Sequence, residues 1–164
     1  MDTTVNGDKL VHDSPGVNLM PPVVFWACLV CGGILEFLFP QEFPLVPAPV
    51  RLAGGLIIGA AGFAFMAAAH ESFKRSGTSV PPNQPAGVFV DKGPYRFSRH
   101  PMYAGGSAFF LGIGLAAGSL WLLALYLPLA LYLALYVIPR EEAYMNRAFG
   151  SHYRQYRREV RRWL

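Results

Sequence analysis

Apolar positions in this chain do not alternate with polar ones; they run on for long stretches. The first stretch spans about residues 19–39 and is closed by Pro40. The second spans about 50–69. From Pro101 to Pro139 there are 39 consecutive residues with no Asp, Glu, Lys or Arg. A membrane-crossing helix needs roughly 20 apolar residues, so this last run holds two, broken at Gly118-Ser119 into spans of about 102–117 and 120–138. The pattern predicts an all-α integral membrane protein with four transmembrane helices, the last two forming a tight hairpin. Pro128 is expected to bend the fourth helix and Pro139 to mark its end.

Between the spans the character changes. Residues 1–18 read as a flexible polar tail, and 40–49, with four prolines, as a short connection. Residues 70–100 read as a polar loop carrying Lys74, Arg75, Lys92, Arg96 and Arg99, and loops of that length usually have a function. In the tail at 140–164, Tyr153, Tyr156, Val160 and Trp163 recur at three- and four-residue intervals among arginines. That spacing predicts an amphipathic helix lying on the membrane surface, apolar stripe down. Gly55 and Gly59, four apart in the second span, predict close approach of another helix. The whole chain, 1–164, reads as a single membrane domain with its chemistry in 74–103 and 140–164.

Composition agrees. Of 164 residues, 53% are hydrophobic and 15% charged, with a mean hydropathy of +0.31, against about 25% charged in a soluble domain. A disordered chain is excluded, and an ordinary soluble enzyme is not expected. The net charge is +4 and the pI about 9.3. Seven of the fourteen basic residues fall in the last 25 positions, beside apolar spans, which points to anionic lipid headgroups rather than nucleic acid. Four spans put the N-terminal tail, the 70–100 loop and the C-terminal tail on one side. Lys and Arg divide 13 to 1 in favour of that side, so both termini and the loop are expected in the cytoplasm. Cys28 and Cys31 have no partners at ligand spacing and read as small buried residues, not a metal site. No cleavable signal is evident. Glu36, an acid within the first span, is a functional candidate by position, but near the span's end it is expected to reach the headgroups.

Two polar clusters remain. One, Gly93-Pro94-Tyr95-Arg96-Phe97-Ser98-Arg99-His100-Pro101-Met102-Tyr103, leads into the third span; the other, Arg140-Glu141-Glu142, leaves the fourth. A hairpin of those spans sets both clusters at the same cytoplasmic end, so His, Arg, two Tyr and two carboxylates can converge on one pocket. Two helix starts offer a plainer account: His100-Pro101 as a boundary with proline in the first turn, and Glu141-Glu142 facing a helix N-terminus.

The stretch from Gly93 to Gly105, a helical hairpin, Glu141-Glu142, and then Phe149-Gly150-x-x-Tyr153-x-x-Tyr156 closely resembles the isoprenylcysteine carboxyl methyltransferase family. That family is grouped with the phospholipid N-methyltransferases among integral membrane methyltransferases, and the resemblance covers roughly residues 74–164. It implies S-adenosylmethionine as methyl donor, bound at the cytoplasmic face. By position, the donor contacts it implies are Gly87, Val88, Phe89, Val90, Tyr95, His100, Pro101, Met102, Tyr103 and Glu141, with Glu142 as the paired acid; one of the two acids meets the donor's ammonium group. Many carboxyl-methylating members carry an arginine four residues before the first Glu. Here that position is Val137, and Arg140 is the nearest substitute for holding an acceptor carboxylate. Arg140, Glu141 and Glu142 are thus the candidate catalytic residues, with no metal.

The acceptor expected from the resemblance is lipid-like or prenylated, most closely an isoprenylcysteine-like carboxylate; a phospholipid, a small thiol and an amine are alternatives. A sterol-type membrane reductase using a nicotinamide cofactor and a non-enzymatic membrane protein are the competing classes. The Glu-Glu and Phe-Gly-x-x-Tyr elements favour methyl transfer. Such a transfer needs alignment and exclusion of water rather than a nucleophilic triad, so Ser98 and Ser119 are not expected to be catalytic.

Overall fold

The computed structural model describes residues 14–41, 43, 46–77 and 88–164. Five helices account for most of them: α1, Pro21–Leu38; α2, Ala48–Arg75; α3, Pro101–Ala117; α4, Leu120–Tyr132; and α5, Ile138–Glu159. A 3-10 turn, Gly93–Arg96, precedes α3, and a π-helical segment, Leu133–Val137, joins α4 to α5 without a break. There is no strand among the described residues. α1, α2 and the continuous helix Leu120–Glu159 are long and apolar enough to cross a membrane; α3, at 17 residues, is a shorter apolar helix. Large apolar side chains such as Phe37, Ile57 and Leu135 point outward from these helices, as a lipid solvent favours.

Backbone contact joins α2 to α3. A Cβ added at Gly62 would lie 2.6 Å from Phe109 N and 2.7 Å from Gly105 O, and one at Gly105 would lie 2.6 Å from Gly62 O and Met66 N. A Cβ on Gly55 would lie 2.7 Å from Gly112 O, and one on Gly112 would lie closer still to Gly59 N, so the expected approach is present and its partner is the glycine row of α3. With no hydrophobic drive between helices in lipid, such contact gains its stability from packing. α1 joins the bundle through Phe25, whose ring stacks on Phe109 at 6.3 Å and meets Phe110 edge-on at 5.4 Å.

The hairpin turn forms where Gly118-Ser119 predicts it. Gly118 adopts φ 66, ψ 31 and ends α3. Ser119 caps α4 by accepting from Leu122 N at 3.2 Å. Ser119 Oγ also donates to Glu36 Oε2 at 2.6 Å. Glu36 therefore does not simply extend into the headgroups; it ties the end of α1 to the turn. At the same end Arg51 Nη1 donates to Ala116 O at 3.3 Å, satisfying a carbonyl at the C-terminus of α3.

Several boundaries differ from those the sequence pattern predicts. α2 does not stop near residue 69 but runs to Arg75, where Arg75 pairs with Glu71 one turn earlier at 2.8 Å; helical pairing outlasts the apolar run. Val17, assigned to the free tail, is buried in the core with Phe110, Leu129 and Val137. Cys31 is exposed and Cys28 half-buried, correcting the expectation that both are buried. Pro128 lies within α4, and the loss of regular α geometry comes later, at Leu133–Val137. Pro139 supplies a reason: it has no N–H, and its ring crowds the carbonyl four residues back, a crowding that the wider π turn relieves.

Candidate functional site

The site forms where the chain enters α3 and where α5 begins. Pro94 sits in the 3-10 turn, which closes through Phe97 N to Pro94 O at 3.1 Å. Ser98, fully buried, accepts from His100 N at 3.1 Å. His100 then stands just before the helix, with Pro101 as its first residue. Tyr103 follows on the first turn, its ring stacked 5.9 Å from that of His100. Across from them, the π segment sets the rotation at which α5 presents Glu141 and Glu142.

The two carboxylates are held differently. Tyr103 Oη donates to Glu141 Oε1 at 2.5 Å, and His100 Nδ1 lies 3.4 Å from Glu141 Oε2. Glu142, with its side chain 7% exposed, is enclosed by cations. Arg162 donates to it through Nε at 3.1 Å and Nη2 at 2.7 Å, and Arg99 Nη1 lies 2.9 Å from Oε1. Burial pushes the Glu142 carboxyl up, but the closeness of His100, the hydrogen bonds from Arg162 and the charge of Arg99 outweigh it and hold the pKa at about 2. Burial pulls the His100 imidazole down, and the two carboxylates more than reverse this, raising it above its ordinary value. His100 Nε2 is 3.5 Å from Glu142 Oε1, the outer edge of hydrogen-bond distance; that nitrogen and Arg99 Nε are buried without a hydrogen-bond partner. Buried polar atoms left this way are costly.

The C-terminal helix closes over this cluster. Tyr153 and Tyr156 are buried, and Tyr156 Oη donates to Tyr95 O at 2.6 Å. Burial pushes the Tyr95 and Tyr156 phenols up, so both stay protonated at neutral pH. Phe89 lies against Phe149 at 5.2 Å, His152 at 4.8 Å and Tyr156 at 5.1 Å. Tyr153 and Tyr156 of the aromatic stripe thus face the protein's own loop, whereas Trp163 is exposed. The helix also ends earlier than its pattern implies. Gly150 breaks it locally with φ 52, ψ −119, and Val160 is extended. Beyond it, Arg99 N donates to Arg161 O at 2.9 Å and Ser98 Oγ to Arg162 O at 3.2 Å.

Of the residues singled out in the sequence, His100, Tyr103, Glu141 and Glu142 come together directly. Tyr95 and Val90 pack with Ala69, against Phe73 and Met102. Pro101 is buried, while Val88 is exposed. Arg140 is exposed; its guanidinium lies 3.8 Å over the Tyr136 ring and donates to Tyr136 O. Gly87 lies outside the described residues. Sequence reasoning misses Arg162 as a partner of Glu142 and does not single out Arg99 as one. Arg99 had a signal, since it adjoins His100; Arg162 had none among so many arginines.

The donor set can hold a small molecule carrying both charges. A carboxylate suits the partnerless Arg99 Nε and His100 Nε2, and an ammonium suits Glu141, which no arginine neutralises among the described contacts. Aromatic faces suit an onium centre. The groups present therefore fit an amino-acid-bearing sulfonium such as S-adenosylmethionine. A family model described as phospholipid methyltransferase matches residues 50–152, more than half of the chain. No curated protein and no solved structure matches.

Proposed function

The chain belongs to the phospholipid methyltransferase family, and on that premise we propose that it is an S-adenosylmethionine-dependent enzyme that methylates an amphiphilic acceptor at the cytoplasmic membrane face. The observation that carries the proposal is the convergence of Tyr103, His100 and Glu141 on one side, and Glu142 with its two arginines on the other, at one end of an apolar bundle. In this reading α3 crosses the membrane paired to α2, giving four spans, and the 13-to-1 distribution of basic residues sets both termini in the cytoplasm.

Glu141 would meet the donor's ammonium group, and His100 and Arg99 its carboxylate. When bound, the donor supplies an electrophilic methyl group whose bond to sulfur breaks as the bond to the acceptor's lone pair forms. The chain's own task is to orient and to exclude water. Tyr103 and His100 hold Glu141 in place, and Phe89 packs on the tyrosines of the C-terminal helix. A carboxylate acceptor reaches the transfer already deprotonated, so no general base is required.

The acceptor we propose is an isoprenylcysteine-like carboxylate, met by Arg140, whose planar guanidinium suits bidentate recognition. A phospholipid amine is the second reading, favoured by the description of the matching family. Detergent-solubilised protein with radiolabelled donor, offered a farnesylated cysteine, a phosphatidylethanolamine and a small thiol, tests both. Label in the farnesylated cysteine alone supports the first, label in the phospholipid supports the second, and no transfer to any of the three counts against methylation of this acceptor class.

A further inference from the structure

We infer that Arg162 is a positioning residue for the donor site: by clamping Glu142 from the chain's C-terminal end, it keeps His100 directed at Glu141. This rests on the donor reading above and extends it to a part of the chain outside the matched residues 50–152.

Glu141 and Glu142 are adjacent on α5, so whatever fixes the rotation of one fixes the other. Arg162 grips Glu142 with two nitrogens, at 3.1 and 2.7 Å. The planar fork makes such a contact directional as well as strong. Most exposed ion pairs contribute little, but this carboxylate is 7% exposed, where loss of a partner is felt. Arg162 is itself fixed by its backbone. Its carbonyl accepts from Ser98 Oγ, and the carbonyl of Arg161 accepts from Arg99 N. Three segments are thereby locked together: the loop before α3, the first turn of α5 and the extended end of the chain.

His100 stands between the two acids, 3.4 Å from Glu141 through Nδ1 and 3.5 Å from Glu142 through Nε2. With Arg162 in place, Glu142 has better donors than the imidazole, and His100 stays with Glu141. With Arg162 removed, Glu142 loses both of that side chain's hydrogen bonds and competes for the ring. The donor-facing pair of His100 and Glu141 then loosens, although Arg162 touches neither. Arg99 completes the cage at 2.9 Å, and as it precedes His100 directly it cannot reproduce the pull from the chain's end.

The test is calorimetric titration of the full-length, detergent-solubilised protein with S-adenosylhomocysteine, together with thermal melts. Arg162→Ala should weaken binding at least tenfold while the stoichiometry is kept, and Arg162→Lys should recover part of the loss. Glu142→Gln should weaken it similarly, and the double variant should be no worse than Glu142→Gln within about twofold, since both substitutions break one link. Arg158→Ala, on the exposed side of α5, should leave affinity unchanged. An unchanged dissociation constant in Arg162→Ala, with only a lowered melting temperature, overturns the inference. So does a multiplicative loss in the double variant, which would mean that Arg162 meets the ligand directly. If Arg162→Ala does not fold, the same cycle run with Arg162→Lys decides between these outcomes. Absence of binding by the unaltered protein removes the donor reading and this inference with it.

Discussion

Tyr103 and Glu141 are 38 residues apart and share a hydrogen bond of 2.5 Å, which ties the first turn of α3 to the first turn of α5. The bond bridges the two polar clusters that the hairpin returns to the same end. It also separates the roles of neighbouring acids: Glu141 is bonded to a phenol and near an imidazole, whereas Glu142 is bound by arginines.

That difference predicts different losses. Glu141→Gln should lower affinity for S-adenosylhomocysteine by roughly a hundredfold, the scale set by removing one partner of a buried charge pair, with little change in melting temperature. Glu142→Gln should lower the melting temperature strongly as well, because it leaves Arg99 and Arg162 facing no carboxylate. Calorimetry and melts on both variants check this; equal thermal losses would contradict the separation of roles.

Packing of α2 on α3 can be tested apart from the chemistry. Gly62→Ala should destabilise by about 1–3 kcal/mol, the usual cost of overpacking, since its Cβ would lie 2.6 Å from Phe109 N. Gly54→Ala meets nothing nearer than Leu115 at 3.9 Å and should be neutral or gain up to about 1 kcal/mol in helix propensity. Denaturation in mixed micelles gives the comparison.

Acid and base should act on the cluster in opposite ways. Glu142 titrates at about 2 in the folded chain, below its ordinary 4.5. Its stabilisation is therefore present above pH 4.5 and lost as pH falls toward 2. His100 titrates above its ordinary 6.5, so its contribution is complete below pH 6.5 and lost as pH rises through the raised value. The stability gap between the unaltered protein and Glu142→Gln should accordingly narrow below pH 4.5, and the gap to His100→Gln should narrow above pH 6.5. Melting curves across pH 3 to 9 measure both; a gap to His100→Gln that widens with rising pH would reverse the assigned sign.

Topology yields to labelling. In a background lacking Cys28 and Cys31, single cysteines at positions 8, 85 and 155 should react with an impermeant thiol reagent from one common side, and a cysteine at the exposed position 41 from the other. Opposite sidedness of 85 and 155 would break the four-span arrangement and the shared site.

Arg140 offers the sharpest test of the acceptor. With a prenylcysteine carboxylate as acceptor, Arg140→Lys should raise the acceptor KM or lower kcat and leave donor affinity intact, because an ammonium does not reproduce a bidentate contact. With an amine or thiol acceptor the substitution should be nearly neutral. Prenylcysteine methylation undiminished in Arg140→Ala would remove Arg140 from the acceptor site.

Much of this molecule is written locally. Charge-free runs locate the apolar helices because lipid tolerates few unpaired charges. Gly118-Ser119 locates the hairpin, since a left-handed residue and a hydroxyl cap are local requirements. The hairpin in turn returns His100, Tyr103, Glu141 and Glu142 to one end of the bundle, so their convergence follows from the sequence pattern itself. What tertiary structure alone decided is which polar groups pair. Arg162 is one of many arginines near the C-terminus, and no periodicity marks it; it becomes the partner of Glu142 because the chain leaves α5 at Val160 and lies along Ser98 and Arg99. Tyr153 and Tyr156 have the spacing of a membrane-facing stripe, but the nearest apolar surface to cover is Phe89 and the loop before α3. Spacing fixes which residues share a face, and only the folded chain fixes what that face meets.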